Sequence, residues 1–187
     1  MKVRVWVKQG RVADALTWAR KRGLFVDDDL SFLREFEHVT LARVLIAQNE
    51  SDPVDSSIHD ALGLLERLLQ AAEEGQRTGS VIEILVLMAL AHHAQGDIPR
   101  ALDPLERALT LAEPQGYVQI FVDEGLPMAQ LLSAAAAQGI MPDYTGKLLA
   151  AFPTARPVQT APSKTLAKFQ IANSELVEPL SERELEV

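Results

Sequence analysis

His92 and His93 are the first place to look for a metal site, and their spacing argues against one. Neighbouring helical residues point about 100° apart, so two imidazoles at i and i+1 do not converge on an ion as an i, i+4 pair would. His38 and His59 stand alone on polar faces and read as solvated. The run Asp27-Asp28-Asp29 has charge for a cation but lacks the glycine and terminal glutamate of a calcium loop. It reads as an acidic turn whose charge favours the N-terminus of the following helix. No Walker loop, no G-x-S-x-G and no G-x-G-x-x-G occurs, so phosphate cradling and acyl transfer lack their residues. A binding chain is expected, with no catalytic residue, no metal and no cofactor of its own. Glu37, Thr40, Arg43 and Glu83 are the polar residues that would face a ligand or partner from otherwise apolar helices. Arg43 would equally suit a carboxylate on a neighbouring helix.

Composition limits what such a groove can serve. Of the 187 residues, 48% are hydrophobic, enough for roughly one to one and a half domains with a buried core. The net charge of −8 and sequence pI of about 5.0 leave no positive surplus for the phosphates of a duplex, so this chain alone is not expected to bind DNA. Cysteine is absent, which removes disulfides and thiolate metal sites and suits a reducing cytosol. No signal peptide is evident, and the most apolar run, Ile84 to Ala91, is far short of the roughly 20 residues that span a bilayer. A cytoplasmic location is expected.

Repetition organises the chain. Ala-Leu pairs recur at Ala15-Leu16, Ala61-Leu62 and Ala101-Leu102, 46 and 40 residues apart. Periods of about 34 to 47 residues belong to stacked helical hairpins. Ile98, Ala101, Leu102, Leu105, Ala108, Leu109 and Ala112 form one apolar stripe with Arg100, Asp103 and Arg107 opposite, which predicts a covering helix. "VIEILVLMALA" from Val81 is apolar nearly all round and predicts an inner helix, opened by a Ser80-x-x-Glu83 capping box and closed before Gly96. Ser31 to Gln48 takes the same inner role one unit earlier. After Gly116 the pattern degrades: a short helix is expected, then a turn at Asp123 to Gly125, a helix from about Pro127 to Gln138, and a last one over Tyr144 to Phe152. The fold class is all-α, a TPR-like helical-hairpin superhelix over 1–152.

From Pro153 the composition shifts. "PTARPVQTAPSKT" offers no apolar stripe and reads as a linker over 153–174. In "EPLSERELEV", Ser181 and Glu184 have the spacing of a capping box, so a new helix is being opened, with too few residues after it to stand alone. The start, "MKVRVWVKQGR", reads as part of a longer element.

Three stretches in order resemble one family. "PLSERELEV" is similar to the opening of the helix-turn-helix domain of LuxR-type transcription factors, "YVQIFVDEGLPMAQLL" to a segment near the end of the helical-repeat region of MalT-like regulators, and "EHVTLARVLIAQ" to an inner helix of that region. The resemblance implies a large activator with an ATP-binding switch domain first, then repeats that receive an inducer or a protein partner, with possible self-association, then a DNA reader that works with RNA polymerase. Only the middle is present, with 175–187 as the start of the reader. ATP is implied for the missing domain alone, and DNA and polymerase for the intact parent alone. Ser181 and Glu184 match helix-opening positions; Asp123, Glu124 and Gly125 match the family's "DEG" turn, whose implied role is structural or interdomain. A free-standing TPR-like scaffold for protein partners is the competing reading.

Overall fold

Alanine at the helix crossings sets how closely the array packs. In the computed structural model, which describes residues 2–52 and 56–153, Ala15, Ala61 and Ala101 are each fully buried, one on the second helix of each of three successive hairpins. The first hairpin pairs α1 (Lys2–Lys8) with α2 (Val12–Lys21), the second α3 (Glu35–Ser51) with α4 (Ser57–Glu74), and the third α5 (Thr78–Ala94) with α6 (Ile98–Ala112). Three further helices follow: α7 (Gln119–Val122), α8 (Leu126–Ala137) and α9 (Pro142–Ala151). Among the described residues there is no strand, and no helix is long and apolar enough to cross a membrane. The chain is an all-α, TPR-like helical repeat.

The inner and covering roles follow from side-chain distribution. α5 buries Val81, Ile82, Ile84, Leu85, Val86 and Leu87 in succession because α4 lies on one side, α6 on another and α3 alongside. α6 buries only its stripe and leaves Arg100, Asp103 and Arg107 exposed. Asp97 caps it by accepting a hydrogen bond from the Arg100 amide at 3.1 Å. α1 packs on α3 as α3 packs on α5, so first helices neighbour first helices. A small separate cluster of Val3, Ala15 and Val44, flanked by Trp6, Val7, Leu16 and Trp18, seats the first hairpin on the second.

Four expectations are corrected. Ser80 and Glu83 do not open α5, which begins at Thr78 after Arg77; the Ser80 hydroxyl instead donates to Glu35 at 2.6 Å across the hairpins. Its capping spacing is spent on a neighbour. His38 is fully buried rather than solvated, with Nδ1 3.1 Å from the Arg34 carbonyl and Nε2 3.1 Å from Asp28. Its polar partners come from the connection before α3, which periodicity along the helix does not reveal. Asp28, in turn, does not serve a helix N-terminus: it accepts from the Phe25 amide at 3.1 Å and from that histidine. The inner helix expected from Ser31, α3, also starts later, since Phe32–Arg34 form a 3₁₀ turn before Glu35. α8 and α9 lie within two residues of their expected bounds. The first compact unit runs to Pro153; the expected linker beyond it and the helix opened at Ser181 and Glu184 lie outside the described residues.

Enlarging an alanine at a crossing should force the helices apart. Ala61→Leu and Ala101→Leu are each expected to cost about 1 to 3 kcal/mol, read as a lower midpoint in thermal or urea unfolding; unchanged midpoints would contradict the crossing geometry. The Asp28 carboxyl is held below its ordinary pKa, chiefly by the Phe25 amide and then, against the opposing effect of partial burial, by His38. A depressed carboxylate stabilises the fold above its unfolded pKa and loses that contribution as pH falls through its folded value. Asp28→Asn should therefore lower stability at neutral pH and flatten its decline in acid, measured by urea titrations between pH 7 and pH 3.

Candidate functional site

Helical spacing brings one set of side chains to a common cavity. On α3, Arg43, Ile46, Ala47 and Glu50 fall at i, i+3, i+4 and i+7; on α5, Glu83, Leu87 and Leu90 fall at i, i+4 and i+7; on α1, Arg4, Val7 and Lys8 lie on one face. These surfaces wall a cavity of about 540 Å³, and Gln119, Ile120, Asp123, Glu124 and Pro127 complete it around α7 and the turn into α8. The volume lies in the range of small-molecule sites, about 300 to 1,000 Å³.

Arg43 ties the walls together. Its Nη1 donates to Glu124 at 2.7 Å and its Nη2 to Glu83 at 3.0 Å. The same Glu83 oxygen, Oε1, lies 2.8 Å from Nη2 of Arg4, so one carboxylate serves two guanidinium groups from different hairpins. Arg4 also stacks over the Phe36 ring, 4.3 Å from its centroid. Its contact with Glu83 is an ion pair out of line for a hydrogen bond, and its Nε, like that of Arg43, has no acceptor among the described residues.

Burial acts on the two arginines with different outcomes. For Arg43 desolvation is the largest single influence and opposes the charge, yet Glu124 and Glu83 together hold its pKa above the ordinary arginine value. For Arg4 desolvation wins, aided by the Arg43 cation and only partly offset by Glu83, and its pKa is lowered. The charge of Arg43 is thus the better compensated of the two.

Of the four residues expected to line a groove, Arg43 and Glu83 do so and the other two do not. Glu37 pairs with Arg22 at 3.0 Å and with Arg34 at 3.3 Å. Thr40 is fully buried and donates to the Phe36 carbonyl at 2.8 Å. The "DEG" turn joins the cavity: Asp123 and Glu124 line it, and Gly125, with φ +72° and ψ −147°, takes a backbone conformation that is nearly exclusive to glycine and directs the chain into α8. Arg4, Lys8, Glu50 and Gln119 were not singled out from sequence. The Arg4-x₃-Lys8 and Arg43-x₆-Glu50 spacings carried the signal, but only the packing of α1 on α3 shows that they converge.

The family profile described as MalT-like TPR region matches residues 1–138, spanning the three hairpins, the turn and α8. The chain belongs to this family. The MalT-like TPR region therefore contains every residue that walls the cavity. No curated protein and no solved structure gives a significant match.

Removing one member of a buried charge pair strands the other. Arg43→Met is expected to destabilise the array by roughly 3 kcal/mol. Combining it with Glu124→Leu should restore part of that loss, so a double-mutant cycle in urea should show clear non-additivity. Strictly additive losses would mean that the two side chains do not interact in solution.

Proposed function

We propose that this chain is the effector-receiving repeat segment of a LuxR-family, MalT-like transcriptional regulator, and that occupancy of the groove controls DNA binding by a C-terminal helix-turn-helix. The observation that carries the reading is the position of the Arg43 bridge. It forms part of the wall of the cavity and also holds Glu124, in the turn that leads into α8. A ligand that binds better when Arg43 and Glu124 are engaged than when they are apart shifts that equilibrium by the ratio of its two affinities. The coupling thus needs no contact between ligand and reader. In the intact regulator, an N-terminal domain that binds ATP would add a second input, and DNA and RNA polymerase would be met only through the reader. The setting is cytoplasmic.

A free-standing scaffold for protein partners is the second reading. It is favoured by the exposure of Phe32 and Leu33, 69% and 90%, ahead of α3. Two measurements separate the readings. The regulator requires the gene to continue past Val187 into a second helix and a recognition helix, and a stop codon there would leave the scaffold. A thermal-shift screen of sugars, amino acids and lipids should yield a compound that raises the melting temperature of the wild type but not of Leu90→Trp, which fills the cavity; a screen without such a compound would remove the small-molecule input.

A further inference from the structure

Two oppositely charged residues of the groove have no ion-pair partner among the described residues. Lys8 is the last residue of α1, and Glu50 lies on the last turn of α3. Both line the cavity and both are exposed. The other charges of the lining are already committed. Arg4 and Arg43 face Glu83 and Glu124, two cations against two carboxylates, and Asp123 accepts a hydrogen bond from the Gln119 amide. A net charge on a ligand therefore gains little at the Arg43 end. From Arg43 to Glu50 the α3 wall rises about 10 Å, and Ile46, Leu87 and Leu90 lie along the lining with Val7.

We propose that the groove takes a small zwitterion with an apolar body, an apolar amino acid free or at the ends of a short peptide, its carboxylate on Lys8 and its ammonium on Glu50. This rests on the groove being a ligand site. A simple anion would use Lys8 alone and a simple cation Glu50 alone, each leaving the other charge of the lining without a partner. A molecule carrying both charges satisfies both and places its aliphatic part against the leucines. The cavity is large enough for two leucine-sized side chains, so a dipeptide fills it better than a free amino acid.

The test uses calorimetry and thermal shift on the 187-residue chain with leucine, leucyl-leucine, N-acetyl-leucine, leucinamide and N-acetyl-leucinamide. Leucyl-leucine or leucine should raise the melting temperature saturably, and the two separate the peptide from the free amino acid as the source. Each capped compound should bind at least about tenfold more weakly, the size expected for losing a charged hydrogen bond. Glu50→Gln should abolish the discrimination against N-acetylation, and Lys8→Gln that against the amide; both side chains are exposed, so neither change threatens the fold. Capped compounds that bind as well as the free ones would overturn the proposal. So would zwitterions that fail while a compound of other chemistry binds the wild type and not Leu90→Trp, an outcome that leaves the groove standing as a site. If nothing distinguishes wild type from Leu90→Trp, both readings fall together.

Discussion

A guanidinium taken out of water has to be met by acceptors, and Arg43 finds its two at sequence distances of 40 and 81 residues. Desolvation of such a group costs several kcal/mol, and only well-placed opposite charges offset it. That requirement fixes where α5 and the turn before α8 can sit relative to α3. It also explains why the cavity is walled by four segments that share no local sequence: α1, α3, α5 and the turn before α8 each supply one partner of the same network. The apolar residues beside the network follow from the same placement, since side chains one and two turns along α3 and α5 must line the same face.

Stacked hairpins are close to one-dimensional, each unit touching its neighbours and little else. Glu83 and Glu124 modify that description. Glu83 joins the first hairpin to the second and third through Arg4 and Arg43, while Glu124 reaches back from beyond the third. The array thus carries a polar strap across its units in addition to the alanine crossings between them. Alanine sets the spacing without direction, whereas the strap selects one relative position.

The fold was legible because its determinants are local and periodic. The Ala-Leu repeat marked three crossings, and the uniformly apolar run from Val81 marked a helix enclosed on several sides. Arg43 and Glu83 were recognisable as polar residues on such helices. Glu37 and Thr40 have the same appearance in sequence, yet one is satisfied by arginines before and at the start of α3 and the other by its own helix. Which polar residue faces a cavity depends on how neighbouring hairpins rotate, and a single sequence does not contain that angle. Ser80 and His38 misled for a related reason: Ser80 bonds Glu35 45 residues back, and His38 is held by the Arg34 carbonyl and by Asp28 in the connection before its helix, partners that the local motifs did not supply.

The seating of the first hairpin has an experimental consequence. The chain holds two tryptophans, and both, Trp6 and Trp18, flank the small cluster where α1 and α2 meet Val44. Intrinsic fluorescence excited at the indole band is therefore a local gauge of that hairpin, insensitive to where the remaining chromophores lie. Since α1 also presents Arg4 and Lys8 to the cavity, the molecule contains its own optical reporter on one wall of the groove, with no label to attach.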